Sequence, residues 1–359
     1  MAGTARFTAC TQVLWRQIRL KVREKMNVLN GTAGISILGT GRYVPEKTLS
    51  NEQIESQCGL EPGSIVTKTG IKKRHIVENH ETASSMSAEC GRQALEAANV
   101  QPEQIGLIIC CTFTGDYVYP ALACKVQELL GAKNAGSFDL MANCTSFQVG
   151  LTVASDRMKC DPTIGYALVI GVALQSRYID WSNPETAIYF SDGAGAAILG
   201  PVPTGYGVLA SDLFTNSRVF EAVRLRGGGS SHPMRAENIH EGLQYYEMNG
   251  MEVWKQVMQF QPKAVKRVLE KIGKTTDDVD FFIFHQANQN LIHFIMGRMK
   301  QPIEKTLINV DEIGNTADAS LAIALHDAVV AKKIKRDDLV VITGVGAGFT
   351  FGACVVRWY

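Results

Sequence analysis

Short apolar runs alternate with segments of helical periodicity from residue 34 onward, and this order limits the possible folds more than any other feature. IGLIICCT and GYALVIGV are apolar throughout, which is typical of strands buried on both faces. SSMSAECGRQALEAANV and ALACKVQELLG have the apolar spacing of amphipathic helices. The resulting βαβαβ order predicts an α/β fold whose mostly parallel sheet is covered on both faces.

The same order of elements begins again after PVPTGYG. GVLASDLF, DFFIFH and LVVITGV are strand-like, and MEVWKQVMQFQPKAVKRVLEKI is helical with an interruption predicted at Pro262. Because the halves share element order more than sequence, we infer a duplication with a break near residues 200–206. The predicted division is an N-terminal extension over residues 1–33, a first half over 34–205 and a second half over 206–359.

Composition and charge argue against several classes of protein. The chain is 46% hydrophobic and 20% charged, as soluble globular proteins are, and its net charge of +1 offers no basis for nucleic-acid or membrane binding. Its nine cysteines form no C-x-x-C motif, so we expect a reducing compartment, no disulfides, no metal site and no cofactor. LVVITGVGAGFTFGACVV is predicted to form two buried strands joined by a glycine-rich turn, not a membrane span.

The first 25 residues differ from the rest of the chain. They are basic and amphipathic, with Glu24 as their one acidic residue, and they lack the continuous apolar core of a secretory signal. Two interpretations are open. An upstream start, with the functional chain beginning at Met26, is the one we favour, and it predicts a cytoplasmic protein. A transit peptide would instead direct the protein to an organelle matrix.

Three polar residues follow strand-like runs, where α/β sheets often carry their chemistry. Cys144 in MANCTSF follows FDL, which we interpret as the end of a buried strand; His285 follows FFIF; and Asn315 follows Gly314 in DEIGNTADAS. A helix N-terminus at Cys144 would lower the pKa of its thiol. Each residue alone has a structural explanation, such as packing or helix capping. The compatible order of all three favours a shared site.

The motifs around these residues resemble those of β-ketoacyl-ACP synthase III, a branch of the thiolase superfamily. ANCTSF, HQANQNLI, GNTADAS, SDGAGAAIL and GAGFTFGA carry the resemblance, together with LGTGRYVPEKTLSNEQI and IVTKTGIKKRHIV. It extends over about residues 34–359. The resemblance implies a thiolase-like five-layer αβαβα fold of two similar halves, normally assembled as a homodimer.

The resemblance also implies roles for the three polar residues. Cys144 would be the nucleophile that takes an acyl group from a thioester, which predicts ping-pong kinetics. His285 and Asn315 would hold the malonyl thioester carbonyl and stabilise the enolate left by decarboxylation. The backbone N–H of Cys144 would form the oxyanion hole for acyl transfer with an amide from the Gly346–Gly348 segment, for which we select Ala347.

Other positions match the family's acyl pocket and its surface for acyl carrier protein (ACP). Tyr119, contributed by the partner subunit, and Phe349 are the predicted pocket residues. Lys255 matches a basic residue of the docking surface, and Arg298 and Lys300 are expected near it. Solvated helix charges are the alternative interpretation of these three residues. A further docking arginine of the family is replaced by Asn290.

The chain departs from the family pattern at the adenine site of coenzyme A. Ser64 and Pro184 stand where a tryptophan and an arginine of bacterial members enclose the adenine. The donor is therefore predicted to be either an acyl-CoA bound differently or an acyl-ACP. The glycine-rich turn reads GAGF, and Ala347 suits it only if its backbone avoids the glycine-only region.

Three further features have structural interpretations. Cys354 lies beyond the glycines in a strand-like run, so we expect it to be a packing residue and not the second cysteine of a classical thiolase. RLRGGGSSH, residues 224–232, lacks the G-K-[ST] of a phosphate loop and is predicted to be a flexible loop. Arg177 could meet an acidic acyl chain, although a structural ion pair is the preferred interpretation.

The leading hypothesis is decarboxylative Claisen condensation of an acyl thioester with malonyl-ACP, with release of CO2. The runner-up is an acyltransferase that passes the acyl group from Cys144 to an alcohol or amine. A hypothesis of another class is a catalytically idle scaffold that binds carrier protein. Retention of Cys144, His285 and Asn315 argues against the scaffold, because a scaffold has no need of all three.

Overall fold

The computed structural model describes residues 33–359. Its strands are β1 (Gly34–Tyr43), β2 (Thr48–Ser50), β3 (Lys73–His75), β4 (Ile105–Cys111), β5 (Gly136–Leu140), β6 (Tyr166–Ala173), β7 (Gly193–Val202), β8 (Gly207–Thr215), β9 (Val223–Leu225), β10 (Tyr246–Met248), β11 (Phe281–Phe284), β12 (Leu339–Gly346) and β13 (Thr350–Arg357). The predictions for residues 1–25 and for the extension lie outside the described residues.

The helices follow in the same chain order. They are α1 (Asn51–Cys58), α2 (Ser64–Thr69), α3 (Ala83–Ala98), α4 (Leu122–Leu130), α5 (Ser146–Cys160), α6 (Pro184–Ala187), α7 (Gly250–Glu270), α8 (Gln289–Arg298), α9 (Val310–Ile313) and α10 (Ser320–Val330). Among residues 33–359, no helix is both long enough and apolar enough to cross a membrane.

Two sheets repeat one strand order. The first sheet runs β1-β7-β6-β4-β5, with β6, β4 and β5 parallel and β7 antiparallel to both of its neighbours. The second runs β8-β13-β12-β11, and beyond β11 a parallel bridge joins Phe282 to Thr306. Thr306 therefore occupies the place in the second sheet that β5 has in the first. The division at residues 205 and 206 stays a prediction, which this repeated order supports.

Three apolar clusters hold five layers together. Helices α5 and α10 lie between the sheets and share the central cluster with the inward faces of both sheets. Helices α3 and α4 cover the outer face of the first sheet, and α7 and α8 cover that of the second. This is the predicted αβαβα arrangement, and the sheet faces are buried on both sides, as the uniformly apolar strand sequences require.

Two local predictions are wrong. FDL was expected to end a buried strand, but among residues 33–359 β5 lies at the edge of its sheet, pairs with β4 alone and leaves Phe138 exposed. Helix α7 continues through Pro262, where an interruption was predicted. Its apolar face, including Val265 and Val268, is buried against the second sheet, and this packing outweighs the lost backbone hydrogen bond.

Candidate active site

Cys144 lies in a single helical turn, Asn143–Thr145, that connects β5 to α5. Two glycines of β12 allow the backbone of this turn to approach the second sheet closely. A Cβ added to Gly344 would lie 2.8 Å from the Cys144 carbonyl oxygen, and one on Gly346 would lie 2.5 Å from the Ala142 carbonyl oxygen. Side chains at these positions would push the turn that carries Cys144 away from the sheet.

The turn around Cys144 is also tied to the glycine-rich turn between β12 and β13. Asn143 Nδ2 donates to the Ala347 carbonyl oxygen at 3.1 Å, and the hydroxyl oxygens of Thr145 and Thr350 are 2.9 Å apart. Ala347 is not among the positive-φ residues of the described chain, whereas Gly348 has φ of 122°. An alanine therefore fits in GAGF without backbone strain. The role of the Ala347 N–H in an oxyanion hole stays a prediction.

His285 follows β11 and is fixed by its backbone. Its N–H donates to the Thr343 carbonyl oxygen at 3.0 Å, next to the Gly344 that contacts Cys144. The imidazole Nδ1 is buried without a hydrogen-bond partner among the described residues, and burial lowers the pKa of His285 to about 4. The ring is therefore neutral near pH 7. Helix α8 begins at Gln289, four residues after His285.

Asn315 lies on a turn that only glycine permits. Gly314 has φ of 82°, and a Cβ there would lie 2.8 Å from the Ser191 Cβ. Asn315 Oδ1 accepts the Ala317 N–H at 3.0 Å, which leaves the Nδ2 group as the available donor. The backbone N–H of Asn315 donates to the Tyr189 carbonyl oxygen at 3.0 Å. This hydrogen bond holds the turn against the half of the protein that contains the first sheet.

Contacts made by neighbouring residues bring Cys144, His285 and Asn315 close to one another. Adjacent positions of β12 meet His285, through Thr343, and Cys144, through Gly344. The loop that carries Asn315 ends at Ser320, whose Oγ accepts the backbone N–H of the residue after His285 at 2.7 Å. The backbone positions that carry a thiol, a neutral imidazole and a carboxamide thus lie close together at strand ends. The assignment of these residues as catalytic stays a prediction.

The sequence analysis missed a buried acid next to Cys144. Asp318 is 1% exposed, and its Oδ1 accepts a hydrogen bond from Ser146 at 2.6 Å. Burial raises the pKa of Asp318 to about 7. The visible signal was an aspartate inside GNTADASLAIAL, an otherwise small and apolar stretch.

The predicted lowering of the Cys144 pKa is wrong for this structure. Burial raises the pKa of the Cys144 thiol, and the charge of Asp318 raises it further. Cys144 lies in the single turn that precedes α5. The backbone there stabilises the thiolate by less than burial destabilises it.

The two predicted pocket residues lie in different surroundings. Tyr119 is 85% exposed, next to the equally exposed Tyr117 and Val118. Phe349 is 2% exposed and stacks on Phe351 with ring centroids 6.4 Å apart. An exposed Tyr119 is compatible with a contribution to a partner subunit's pocket, and both assignments stay predictions.

The predicted docking residues lie at the surface of α7 and at the end of α8. Arg298 and Lys300 are exposed, and Lys255 Nζ is 3.9 Å from the Glu252 carboxylate. Asn290 is used structurally, since its Nδ2 donates to the Thr67 carbonyl oxygen at 3.0 Å. The ACP-docking assignment therefore depends on the three basic residues alone and stays a prediction.

The remaining sequence features have structural roles. Ser64 and Pro184 begin α2 and α6. The segment predicted to be a flexible loop is partly strand, because β9 pairs with β10 through Leu225 and Tyr246. Cys354 is fully buried in β13, and burial raises its pKa to about 12, as suits a packing residue.

Arg177 forms no ion pair with any acid among residues 33–359. Its guanidinium donates to the Glu78 backbone carbonyl oxygen at 3.1 Å, so the ion pair preferred for it is not formed.

Comparison with known proteins agrees with this fold and arrangement. Family models described as 3-oxoacyl-[acyl-carrier-protein] synthase III match residues 138–217 and, as its C-terminal part, residues 269–358. The β-ketoacyl-[acyl-carrier-protein] synthase III of Natranaerobius thermophilus is 38% identical over 325 residues, covering 90% of this chain and 98% of that protein.

Solved structures give the same result. The 3-oxoacyl-[acyl-carrier-protein] synthase III of Aquifex aeolicus is 34% identical with a TM-score of 0.82, covering 90% of this chain and all of that one. The priming β-ketosynthase of the R1128 polyketide pathway is 27% identical with a TM-score of 0.83, covering 91% and 96%. The fold and the comparisons define a condensing enzyme of the acyltransferase type with a thiolase fold. The chain belongs to the β-ketoacyl-ACP synthase III family.

Proposed function

We propose that this protein condenses an acyl thioester with malonyl-ACP through an acyl-Cys144 intermediate and releases CO2. The observation that carries the proposal is that neighbouring backbone positions carry a thiol and two neutral hydrogen-bond donors. Burial keeps His285 neutral, and Asn315 has its Nδ2 left to donate. Two neutral donors suit an oxyanion that develops only during the reaction.

The chemistry proceeds in two transfers through one sulfur. The Cys144 sulfur attacks the donor thioester carbonyl, and the bond between that carbonyl and the carrier sulfur breaks. The proton given up by the Cys144 thiol passes to the departing carrier sulfur, which leaves as a thiol. The malonyl group then loses CO2, and the electron pair of the broken C–C bond forms an enolate whose oxygen accepts hydrogen bonds from His285 and Asn315. The enolate carbon attacks the acyl carbonyl, the C–S bond breaks, and Cys144 regains a proton.

Carrier protein is the proposed partner. Lys255, Arg298 and Lys300 are exposed cations suited to an acidic carrier, while Ser64 and Pro184 lack the aromatic and cationic groups that would enclose an adenine. An acyl-ACP donor therefore competes with acyl-CoA as the natural donor. The cytoplasmic location depends on residues 1–25 and stays a prediction.

A homodimer through the edge of the first sheet is part of the proposal. Strand β5 has no partner strand on its outer side among residues 33–359, and Phe138, Met141 and the loop with Tyr119 are exposed beside it. An apolar edge strand is prone to pair with another chain. Phe138→Glu should shift the protein to a monomer in sedimentation, whereas Phe220→Glu, at another exposed site, should not. A monomeric wild type would contradict the dimer.

Intact-protein mass spectrometry tests the reaction. Wild type is mixed with a panel of acyl-CoAs and acyl-ACPs, and then with malonyl-ACP. We expect an acyl adduct that disappears with CO2 release, no adduct in Cys144→Ala, and an unchanged adduct in Cys124→Ala, which removes an exposed thiol. His285→Ala and Asn315→Ala should load but fail to condense. An adduct that persists against malonyl-ACP would favour transfer to an alcohol or amine instead.

A further inference from the structure

Tyr246 is a buried phenol whose hydroxyl has no hydrogen-bond partner within residues 33–359. Tyr246 is 7% exposed, and its hydroxyl is unpaired among the described residues. Its ring lies in an aromatic cluster with Phe113, Tyr178 and Phe190, at centroid distances of 6.0, 5.9 and 5.4 Å. A buried hydroxyl without a partner costs free energy, so its retention calls for an explanation.

Tyr246 belongs to the surroundings of Cys144 and Asn315. Phe190, which packs edge-on against Tyr246, is bridged to Asn315 by the backbone. Burial raises the pKa of Tyr246 well above its usual value, and the charges of Asp318 and Cys144 raise it further. The phenol is therefore neutral and able to donate its proton in a hydrogen bond.

A second unpaired donor lies beside this cluster. Gln175 is 1% exposed, and its Nε2 has no partner within the described part of the chain. It begins the 3₁₀ turn Gln175–Tyr178, in which residues three apart share a face, so it lies on the side of Tyr178, the ring that stacks on Tyr246. Asp192 fixes the turn by accepting the Ser176 N–H at 2.8 Å.

We propose that Tyr246 and Gln175 bind an oxygen atom within the acyl group carried on Cys144. The natural donor would then be an acyl thioester whose chain bears a neutral hydroxyl or carbonyl oxygen, in place of a plain alkyl chain. The inference depends on the proposed function, because it needs an acyl group on Cys144. Donation by both groups to one acyl oxygen would also explain why neither has a partner among residues 33–359.

The charges nearby disfavour a carboxylate at this position. Asp318 is a buried acid within electrostatic reach of Tyr246. Of the arginines in this region, Arg177 donates to the Glu78 carbonyl oxygen, and Arg74 donates to Asn51 and to the Ile188 carbonyl oxygen. Arg224 and Arg226 flank Leu225, the strand partner of Tyr246, and both pair with Glu247. Each guanidinium is thus engaged by another group, so a buried carboxylate would lack a free counterion.

Competition between matched donors tests the inference. Cys144 acylation is followed by mass spectrometry with pentanoyl, 3-hydroxypentanoyl, 4-hydroxypentanoyl, 4-oxopentanoyl and glutaryl groups, each on CoA and on ACP. We expect wild type to prefer one oxygenated neutral chain over pentanoyl by about 10- to 100-fold. Tyr246→Phe and Gln175→Leu should each reduce that ratio about tenfold without slowing pentanoyl loading. Tyr178→Phe, which removes a hydroxyl from the same cluster, should leave the ratio unchanged.

Each other outcome counts against the inference in a distinct way. Equal loading of pentanoyl and the oxygenated chains, or preferred loading of glutaryl, overturns it while acyl-Cys144 chemistry stands. Equal losses for all donors in Tyr246→Phe would mean that the hydroxyl has a structural role only. If no donor acylates Cys144 in wild type, the proposed function fails and this inference fails with it.

Discussion

Replacing Asp318 with asparagine should stabilise the protein at alkaline pH. Asp318 is 1% exposed, and burial raises its pKa from 3.8 to about 7. A raised pKa means that the native state holds the proton more tightly than the unfolded chain. The associated stability is therefore present at acid pH and is lost as pH rises towards 7. A shift of about three pKa units corresponds to about 4 kcal/mol.

Asparagine mimics the protonated acid and can still accept from Ser146, so Asp318→Asn should escape this loss. Urea unfolding at pH 8 should give a free energy of unfolding higher than wild type by up to about 4 kcal/mol, falling to about 1–2 kcal/mol at pH 5. Ser146→Ala removes a hydrogen bond that lowers the Asp318 pKa and should act in the opposite direction at pH 8. A gain that is the same at pH 5 and pH 8 would refute the reasoning.

The same substitution should change the reactivity of the nucleophile. The Asp318 charge raises the pKa of Cys144, so Asp318→Asn should move the pH profile of Cys144 alkylation to lower pH. Below about pH 6, Asp318 is mostly neutral in wild type, and the two profiles should converge. An unshifted profile would mean that the carboxyl does not act on the thiol.

Two other substitutions test contacts elsewhere in the fold. Burial alone would raise the pKa of Asp212, but hydrogen bonds from Lys271 and Arg267 lower it overall. Asp212→Asn should therefore lower the free energy of unfolding in urea by about 1.5–3 kcal/mol at pH 7. This loss should shrink as pH falls below 4, and a constant loss would contradict it. Gly346→Ala should slow Cys144 acylation at least tenfold, because its Cβ would meet the Ala142 carbonyl oxygen at 2.5 Å; unchanged acylation would contradict this.

The order of elements was predictable because the apolar runs are long and uniform. The strands ending before His285 and in the glycine-rich hairpin are buried on both faces, and a strand in that position must be apolar at every residue. The same argument failed for FDL, since a run of three residues is too short to distinguish a central strand from an edge strand. Pro262 was misjudged for a related reason: the packing that holds α7 together lies in residues far along the chain.

Interactions between pairs of residues in the site could not be predicted from the sequence. Ser146 and Asp318 are 172 residues apart, and neither residue alone indicates a buried hydrogen bond. Tyr246 belongs to a strand of only three residues, too short for its periodicity to be detected. The direction of the Cys144 pKa shift depends on two opposing effects: the helix terminus lowers the pKa, and desolvation raises it. Only the surrounding packing decides which effect is larger.

The repeated sheet order explains how the site is divided between the two halves. Strands β4 and β11 occupy equivalent places, and Thr112 and His285 follow them. Thr112 bonds within the first half, since its Oγ1 accepts the Thr114 N–H at 2.9 Å. Cys144 follows β5, and Asn315 follows the strand position marked by Thr306, so these two are also equivalent. We propose that a duplicated fold kept the nucleophile in the first half and the two neutral donors in the second. Both oxyanion donors then meet the thiol across the interface between the halves.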